Sequence, residues 1–510
     1  MCAKLSTALS MVAPERMHSP NDTKEPLIMV TSLNDLPTDL LIGGQWKPAA
    51  SGRRIDVFNP SSEELIATVA DAAPEDAVSA VDAAAAAAPG WAATSARQRS
   101  EILRRCFELM QRDAETLARL ISLENGKALN DARGEVAYAA EFFRWFAEEA
   151  VRINGDIGMS PSGAARIVVQ YQPVGIAFLV TPWNFPAAMA TRKIAPALAA
   201  GCTCILKPAT ETPLTAYAVA ALLMEAGVPP GVVNVVTSSM AGKLANAVLD
   251  DPRVRKLSFT GSTEVGRVLL KKAADQIINC SMELGGNAPF VVFDDADIDQ
   301  AVEGAMVAKM RNGGEACTAA NRFYVHRKVL AEFSERLAQR MSALKVDDGE
   351  RPDTQCGPLV NAASVAKIAQ LVADAQAKGA RVLAGGTRLD RPGHFYAPTV
   401  LADVPLNADL LHEEIFGPVA PIVGFEDEAE AIRLANDTEY GLVAYVYTRD
   451  LARGLRVSEQ IESGMIALNR GLVSDPAAPF GGVKQSGIGR EGAHHGILEF
   501  CEAKYIAATW

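Results

Sequence analysis

Short apolar segments alternate with segments of helical length and period between residues 174 and 274. This strict alternation predicts a parallel sheet with helices on both faces, and therefore an α/β fold. Ligands of such sheets bind beyond the carboxyl ends of the strands. Strands are predicted at 174–181, 203–206, 232–236 and 256–259, and helices at 187–200, 214–226, 242–249 and 262–274.

The rest of the chain adds a second alternating block, from about residue 290 to 482. Before the first block, one helix is expected from Ala96 to Glu124, with Gly126 as its C′ residue. Residues 1–37 contain four prolines without a sustained period and are expected to form a flexible arm. Two β-like segments, at 167–171 and 505–509, would form a small separate sheet of a kind often used in assembly.

Composition excludes several classes of function. The 510 residues contain 49 Lys and Arg against 61 Asp and Glu, a net charge of −12, which argues against nucleic acid or an anionic membrane as partner. No apolar run approaches the roughly 18–20 residues that span a bilayer, and no secretory signal is recognisable, so a cytoplasmic location is expected. The eight cysteines are too sparse for a disulfide framework and form no metal-binding motif, so no metal is expected.

Polar residues with possible chemical roles follow the predicted strands. Asn184 lies in a proline-fixed turn and can donate to an oxyanion, Lys207 can bind a ribose or phosphate, and Glu283 can act as a base if its apolar surroundings raise its pKa. Taken singly, each also fits a structural role. Asn184 and Trp183 fit a rigid packed loop, Lys207 a surface lysine, and Glu283 a solvated acid in a turn.

Two glycine-containing segments complete the set of candidates. The segment 259–266, with Gly261 and Ser262, leads into a helix and fits either an anion-binding turn or a plain helix cap. Cys317 lies in Gly-Gly-Glu-Ala-Cys-Thr, where a loop can present the sulfur and its backbone N–H together. The alternatives are a nucleophile or an inert packed thiol. Because no histidine lies nearby in the sequence, a nucleophile here would depend on a carboxylate base acting on water.

Together these segments resemble the aldehyde dehydrogenase superfamily over about residues 38 to 510. The motifs occur in order as TPWNFP, KPA followed by TP, FTGSTEVG, ELGGNAP, the cysteine loop, EEIFGP and PFGGVKQSGIGREG. The resemblance implies a Rossmann-type NAD(P)-binding domain (38–160 and 175–283), an α/β catalytic domain (284–485) and a small β oligomerisation element (161–174 and 486–510). By the same analogy, the protein is expected to form a homodimer or homotetramer.

The resemblance also implies residue roles. Cys317 would attack the aldehyde, Asn184 and the Cys317 N–H would form the oxyanion hole, and Glu283 would activate the hydrolytic water. Cofactor binding would involve Trp183, Lys207, Thr210, Gly261, Ser262, Leu284, Glu414 and Phe416.

Within the superfamily the sequence is most similar to the succinate-semialdehyde dehydrogenases. That similarity implies that Arg192, Arg311 and Ser474 bind the carboxylate of the substrate, since arginine pairs bidentately with a carboxylate. The alternative for the two arginines is a structural role on helix surfaces. Other substrates left open are glutarate semialdehyde and neutral or aromatic aldehydes, and a non-catalytic family member is a more distant alternative.

Three positions depart from the family pattern. Position 319 is alanine rather than a second cysteine, so no local disulfide switch is expected. Glu315 stands where glutamine is usual. Thr210 stands where NAD-preferring relatives often have a glutamate that repels a 2′-phosphate, which favours NADP over NAD, although the adjacent Glu211 leaves NAD open.

Overall fold

The structure, a computed structural model, describes residues 36–510, so all but the last two residues of the predicted arm lie outside the described residues. The strands are β1 Leu40–Ile42, β2 Gln45–Lys47, β3 Arg54–Phe58, β4 Leu65–Ala70, β5 Asp156–Met159, β6 Arg166–Pro173, β7 Ile176–Val180, β8 Thr203–Lys207, β9 Val233–Val235, β10 Val254–Thr260, β11 Asn279–Glu283, β12 Ala288–Val292, β13 Ala320–His326, β14 Arg381–Ala384, β15 Thr399–Ala402, β16 Val419–Phe425, β17 Val443–Tyr447, β18 Met465–Leu468, β19 Gly487–Ile488 and β20 Cys501–Ala508. The helices are α1 Pro74–Ala93, α2 Ala96–Arg112, α3 Ala114–Asn125, α4 Leu129–Glu149, α5 Pro186–Ala200, α6 Pro213–Glu225, α7 Ala241–Leu249, α8 Thr263–Ala274, α9 Ile298–Met310, α10 Arg327–Ser342, α11 Ala362–Ala377, α12 Glu428–Asn436, α13 Leu451–Gln460 and α14 His495–Leu498.

The first block forms an eight-stranded sheet in the order β19-β11-β10-β7-β8-β9-β1-β2. Its central strands, β11 to β9, are parallel, and the outer strands pair antiparallel. The predicted α/β fold is therefore confirmed. Helix α5, which follows β7, is buried along its whole length, as its alanine-rich sequence allows.

The second block forms a seven-stranded sheet in the order β14-β15-β16-β13-β12-β17-β18, parallel except for β14. The loop that carries Cys317 leads into β13, close to the centre of this sheet. Cys317 therefore lies at the amino end of β13, whereas the predicted residues of the first block follow the carboxyl ends of its parallel strands.

The two β-like segments pair as predicted. β20 lies antiparallel to β6, with Tyr505 opposite Val169, and β5 completes a three-stranded sheet. This sheet begins at Asp156 rather than at 161, and the short strand β19 joins the eight-stranded sheet rather than this one. The assignment of the three sheets to cofactor binding, catalysis and assembly stays a prediction.

The single helix expected from Ala96 to Glu124 is wrong, because the structure divides it into α2 and α3 at Asp113. Asp113 has φ −101° and ψ 18°, outside the helical region, and its carboxylate binds Arg112. An aspartate favours helix ends because its short polar side chain competes for backbone hydrogen bonds. The predicted C′ glycine is confirmed, since Gly126 ends α3 at φ 87°. Among the helices of residues 36–510, none combines the length and apolar character needed to cross a membrane.

Candidate active site

Four strands of the eight-stranded sheet deliver the predicted residues to one edge. The register pairs Val180 of β7 with Lys207 of β8, and Thr260 of β10 with Glu283 of β11. Because these strands are parallel, the residues that follow them lie at the same edge of the sheet, beyond the carboxyl ends of the strands. The structure therefore brings together the segments that the sequence identified separately.

A cavity of about 270 Å³ adjoins the thiol of Cys317. Most of the residues expected at the catalytic and nicotinamide sites line it, namely Trp183, Asn184, Gly261, Ser262, Leu284, Cys317, Glu414 and Phe416. Ser364 and Lys367 also line it, although the sequence analysis assigned them no role.

The loop before Cys317 needs unusual backbone angles. Asn312, Gly313 and Gly314 have φ values of 52°, 58° and 83°. A Cβ on Gly314 would lie 2.2 Å from the Gly417 carbonyl oxygen, so only glycine fits between this loop and the segment that carries Phe416. The close approach holds the loop that carries Cys317 against the segment that carries Phe416.

Burial raises the pKa of the Cys317 thiol to about 12. The positive charge of Arg192 opposes this shift, Glu414 and Glu283 add to it, and Arg311 opposes it. The thiol is therefore neutral before substrate binds, and the two arginines are the groups that favour its thiolate.

Asn184 is buried beside the cysteine loop. Its Nδ2 donates to the Glu315 carbonyl oxygen (3.0 Å), and its own carbonyl oxygen accepts from Asn312 Nδ2 (2.9 Å). Since a side-chain amide has two N–H groups, one remains for an oxyanion. The hydrogen bond also fixes the amide relative to the loop that presents Cys317.

Glu283 ends β11 in a buried position and does not line the Cys317 cavity. Burial raises its pKa well above the usual range, the carboxylate of Glu491 adds to this, and Arg192 opposes it. Its Oε2 has no hydrogen-bond partner within residues 36–510. This shift favours the protonated acid, and only the deprotonated form of Glu283 can act as a base.

A second cavity, of about 330 Å³, continues from the first and shares Thr260, Gly261 and Ser262 with it. It contains Lys207, whose Nζ donates to the Pro208 carbonyl oxygen (2.9 Å). Burial lowers the pKa of Lys207 to about 8, and Glu211 opposes this shift.

The residue at the position expected to select the cofactor lines the same cavity. Thr210 Oγ1 donates to Glu211 Oε2 (3.2 Å), so an uncharged hydroxyl and a carboxylate lie side by side there.

Glu414 and Phe416 line the first cavity from the segment that precedes β16 of the seven-stranded sheet. Glu414 Oε1 accepts from the Gly286 N–H (3.1 Å), and burial raises the pKa of Glu414 to about 7. Phe416 adopts φ 57°, and its ring lies edge-on to Trp183 with centroids 5.4 Å apart. This strained conformation orients the aromatic ring into the cavity.

Two of the three predicted carboxylate ligands lie together. Arg311 Nη1 is 3.3 Å from Ser474 Oγ, and both residues line a cavity of about 810 Å³ with Tyr138. Arg192 lies apart from this cavity, because its Nε is 2.6 Å from Glu491 Oε2 and its guanidinium covers the ring of Phe480. Arg192 Nη2 has no partner among the described residues, so its role in substrate binding stays a prediction.

Comparison with known proteins agrees with this geometry. Residues 46–506 match the model of the aldehyde dehydrogenase family. The chain belongs to the aldehyde dehydrogenase family.

Three similar proteins illustrate the relationship of this aldehyde dehydrogenase to others. A succinate-semialdehyde dehydrogenase of Paenarthrobacter nicotinovorans is 57% identical over 87% of this chain and 98% of its own. A glutarate-semialdehyde dehydrogenase of Pseudomonas putida is 50% identical over 92% of this chain and 97% of its own. A crystal structure described as an NADP dependent enzyme of E. coli has 50% identity and a TM-score of 0.93, over 94% of this chain and all (100%) of that one.

Sequence reasoning missed two charged groups near the site of this aldehyde dehydrogenase. Glu491, the partner of Arg192, lies within the quoted motif that begins at Pro479, but nothing local indicates what it contacts. Lys127, which donates to the Asn184 carbonyl oxygen (2.7 Å), follows the C′ glycine Gly126. A lysine directly after a helix end was the only available signal, and it is a weak one.

Glu315 is the most unusual residue of the cysteine loop. It is buried, and its Oε1 accepts from the Val360 N–H (3.1 Å). Burial raises the pKa of Glu315 to about 8, while the Val360 hydrogen bond and Lys127 oppose the shift. Within residues 36–510 every cysteine is a free thiol, and no three His, Cys, Asp or Glu side chains form a group that could hold a metal ion.

The raised pKa of Glu315 predicts a pH-dependent loss of stability. The ordinary pKa of this carboxyl is 4.5 and its pKa in the folded protein is about 8. Between these pH values the unfolded chain has released the proton while the folded chain keeps it, so the free energy of unfolding falls as pH rises. The variant Glu315→Gln keeps the oxygen acceptor but has no proton to lose. Thermal midpoints at a fixed scan rate should show its advantage over the wild type growing from pH 5 to pH 8.5, at roughly 1.4 kcal/mol per unit of pKa shift. A difference that does not change with pH would contradict the assignment.

Proposed function

We propose that this protein oxidises succinate semialdehyde to succinate with NADP. The observation that carries the proposal is the Arg311–Ser474 pair, 3.3 Å apart in a cavity of about 810 Å³, with Arg311 directly before the loop that leads to Cys317. A cation and a hydroxyl at this place suit the carboxylate at the far end of a short acid aldehyde. The relative from P. nicotinovorans bears the name of this activity.

The residues fit a nicotinamide dinucleotide. Lys207 is a buried cation next to a cavity, and a Cβ on Gly285 would lie 3.0 Å from Glu414 Oε2, so glycine leaves the ribose site open. Lys207 would hold the adenosine ribose and Glu414 the nicotinamide ribose. When bound, the nicotinamide supplies the two-electron acceptor for the aldehyde carbon.

The chain's own residues perform the remaining chemistry. The Cys317 thiol gives its proton to water, its sulfur attacks the aldehyde carbon, and Asn184 Nδ2 and the Cys317 N–H stabilise the resulting oxyanion. After oxidation Cys317 carries a thioester. Glu283, once it has lost its proton, takes a proton from the water that hydrolyses this thioester, and the acid product leaves.

Glutarate semialdehyde is the second candidate substrate. One additional methylene fits a cavity of about 810 Å³, and the relative from P. putida bears the name of that activity. NAD is the second candidate cofactor, because Glu211 lies beside Thr210 and can repel a 2′-phosphate. NADP is favoured by the uncharged Thr210 and by the description of the E. coli structure.

Assembly and location complete the proposal. The three-stranded sheet has β5 and β20 as its edges, and exposed apolar side chains on it include Ile157, Tyr505 and Ile506. These features support a homodimer or homotetramer built through this sheet. A cytoplasmic location stays a prediction from the sequence. A non-catalytic role is disfavoured because Cys317, Asn184 and Lys207 are all present and lie at one site.

The carboxylate contact predicts a selective defect in Arg311→Leu. Loss of a charge-assisted, bidentate contact should lower kcat/KM for succinate semialdehyde by about 100-fold. Arg311 also favours the Cys317 thiolate, so the rate with butyraldehyde should fall as well, but less. The ratio of kcat/KM for succinate semialdehyde to kcat/KM for butyraldehyde therefore reports the carboxylate contact. Ser474→Ala should lower this ratio by a smaller factor. An unchanged ratio would overturn the role of Arg311.

If Glu283 activates the hydrolytic water, its replacement should give a burst of reduced cofactor without steady turnover. In Glu283→Gln the thioester should form but hydrolyse about 10²–10⁴ times more slowly, because the base is absent. Stopped-flow absorbance at 340 nm should show about one equivalent of reduced cofactor per active site, followed by a near-zero steady rate. Sustained turnover close to the wild-type rate would show that another group activates the water.

The position of Thr210 predicts a charge effect on cofactor choice. In Thr210→Glu a carboxylate about 5 Å from the 2′-phosphate costs up to about 3 kcal/mol, or roughly 100-fold in kcat/KM with NADP. NAD should be used at least as well as before. The uncharged variant Thr210→Gln controls for size and should retain most of the NADP activity. Equal losses with both cofactors in Thr210→Glu would place this residue away from the 2′-phosphate.

A further inference from the structure

Two buried charges lie beneath Asn184 and have no part in the chemistry described above. Lys127 Nζ donates to Glu135 Oε2 and to the Asn184 carbonyl oxygen, the latter at 2.7 Å. Neither side chain is exposed to solvent at all (0% each). Neither residue lines the cavity that contains Cys317, whereas Glu135 lines the cavity of about 810 Å³ that contains Arg311 and Ser474.

Glu135 connects the pair to the start of helix α5. Its Oε1 accepts from the backbone N–H groups of Ala187 (2.8 Å) and Ala188 (3.2 Å). A carboxylate at a helix N-terminus binds unpaired N–H groups and complements the helix dipole. The ion pair therefore holds both sides of the short segment between Asn184 and Ala188.

The cysteine loop contacts the same carbonyl oxygen. Asn312 Nδ2 donates to the carbonyl oxygens of Asn184 (2.9 Å) and Glu315 (3.1 Å), and the Glu315 carbonyl oxygen also accepts from Asn184 Nδ2 (3.0 Å). Lys127 and Asn312 thus share the Asn184 carbonyl oxygen between them. The orientation of this peptide group decides where the Asn184 side chain points.

We propose that the Lys127–Glu135 ion pair is a positioning unit for the oxyanion hole, because it fixes the Asn184 backbone so that Nδ2 faces the oxygen of the attacked carbonyl. The inference rests on the proposed roles of Asn184 and Cys317. A charge-assisted bond from an ammonium group is stronger and shorter than a neutral one, which suits a donor that must hold a peptide plane. Burying two charges carries a desolvation penalty, so a pair with no exposure needs a reason beyond stability.

Two reactions of Cys317 separate positioning from general damage. Acylation by p-nitrophenyl acetate passes through an oxyanion and requires the hole, whereas alkylation by iodoacetamide displaces iodide and forms no oxyanion. Both can be measured without cofactor, with the Cys317 peptide followed by mass spectrometry so that other thiols do not contribute. The ratio of the two second-order rate constants reports the oxyanion hole alone.

The main variant is Lys127→Met combined with Glu135→Gln. It removes both charges together, so no single buried charge is left without a partner. We expect the acylation rate constant to fall about 10- to 100-fold, within the range typical for loss of an oxyanion donor, while alkylation changes less than about twofold. With semialdehyde substrate, kcat should fall while the KM for the cofactor stays near its wild-type value.

The chain offers a matched control in Glu124. This buried carboxylate accepts from the backbone N–H groups of Leu214 (2.8 Å) and Thr215 (2.9 Å) at the start of α6, as Glu135 does for α5, but it has no hydrogen bond to Asn184. Glu124→Gln should leave the acylation-to-alkylation ratio unchanged. If it lowers the ratio as much as the double variant does, the effect is general to helix caps and the proposal is overturned.

Asn184→Ala completes the test. It should lower acylation by itself, and removing the ion pair in the Asn184→Ala background should have no further effect. If Asn184→Ala leaves acylation unchanged, the proposed oxyanion role fails and the inference fails with it. If Asn184→Ala behaves as expected but the ion-pair variant loses acylation and alkylation equally, or loses neither, the positioning role alone is overturned.

A second variant keeps the test available if the double variant does not fold. Asn312→Gly removes the other side-chain donor to the Asn184 carbonyl oxygen, leaves both charges in place, and suits the positive φ of 52° at this position. The proposal predicts the same selective loss of acylation, with a smaller factor. An unchanged ratio in this variant would overturn the claim that the orientation of the Asn184 peptide controls the oxyanion hole.

Discussion

Asn184 Nδ2 donates to the Glu315 carbonyl oxygen at 3.0 Å, in one of the hydrogen bonds that join the two large sheets. Asn184 follows β7 of the eight-stranded sheet, and Glu315 precedes β13 of the seven-stranded sheet. The position of Asn184 relative to the loop that carries Cys317 depends on this contact. A buried hydrogen bond contributes only about 1 kcal/mol net, but leaving its partners unsatisfied costs more, so the surrounding contacts with Asn312 and Lys127 are needed to hold it.

The electrostatics of the site follow from burial. A thiol with a pKa of about 12 is a poor nucleophile at neutral pH, and the arginines at positions 192 and 311 are the charges that favour its thiolate. Burial also raises the pKa of Glu283 well above its usual range, and the carboxylate of Glu491 adds to this shift. Arg192 is itself held by Glu491, which fixes the position of its charge. The proposed contact with the substrate carboxylate therefore depends mainly on Arg311 and Ser474.

Much of the architecture could be predicted because it depends on local patterns. The alternation of strands and helices predicted a parallel sheet. Because Asn184, Lys207 and Glu283 lie at predicted strand ends, the same pattern predicted that they share one edge of that sheet. What could not be predicted depends on contacts between distant segments. Glu491, the partner of Arg192, lies in a motif near the C-terminal end of the chain, and Lys127 lies 57 residues before Asn184. The helix break at Asp113 was missed because the hydrophobic pattern continues across it and only one residue leaves the helical region.

The measurement that tests the central claim most directly is a comparison of kcat/KM for succinate semialdehyde and butyraldehyde on the wild-type enzyme with NADP. The two aldehydes have chains of equal length and differ in the terminal carboxylate. The account predicts at least a tenfold preference for succinate semialdehyde, which corresponds to about 1.4 kcal/mol of transition-state binding through Arg311 and Ser474. Equal or better rates with butyraldehyde would leave the family assignment intact and would contradict the proposed substrate.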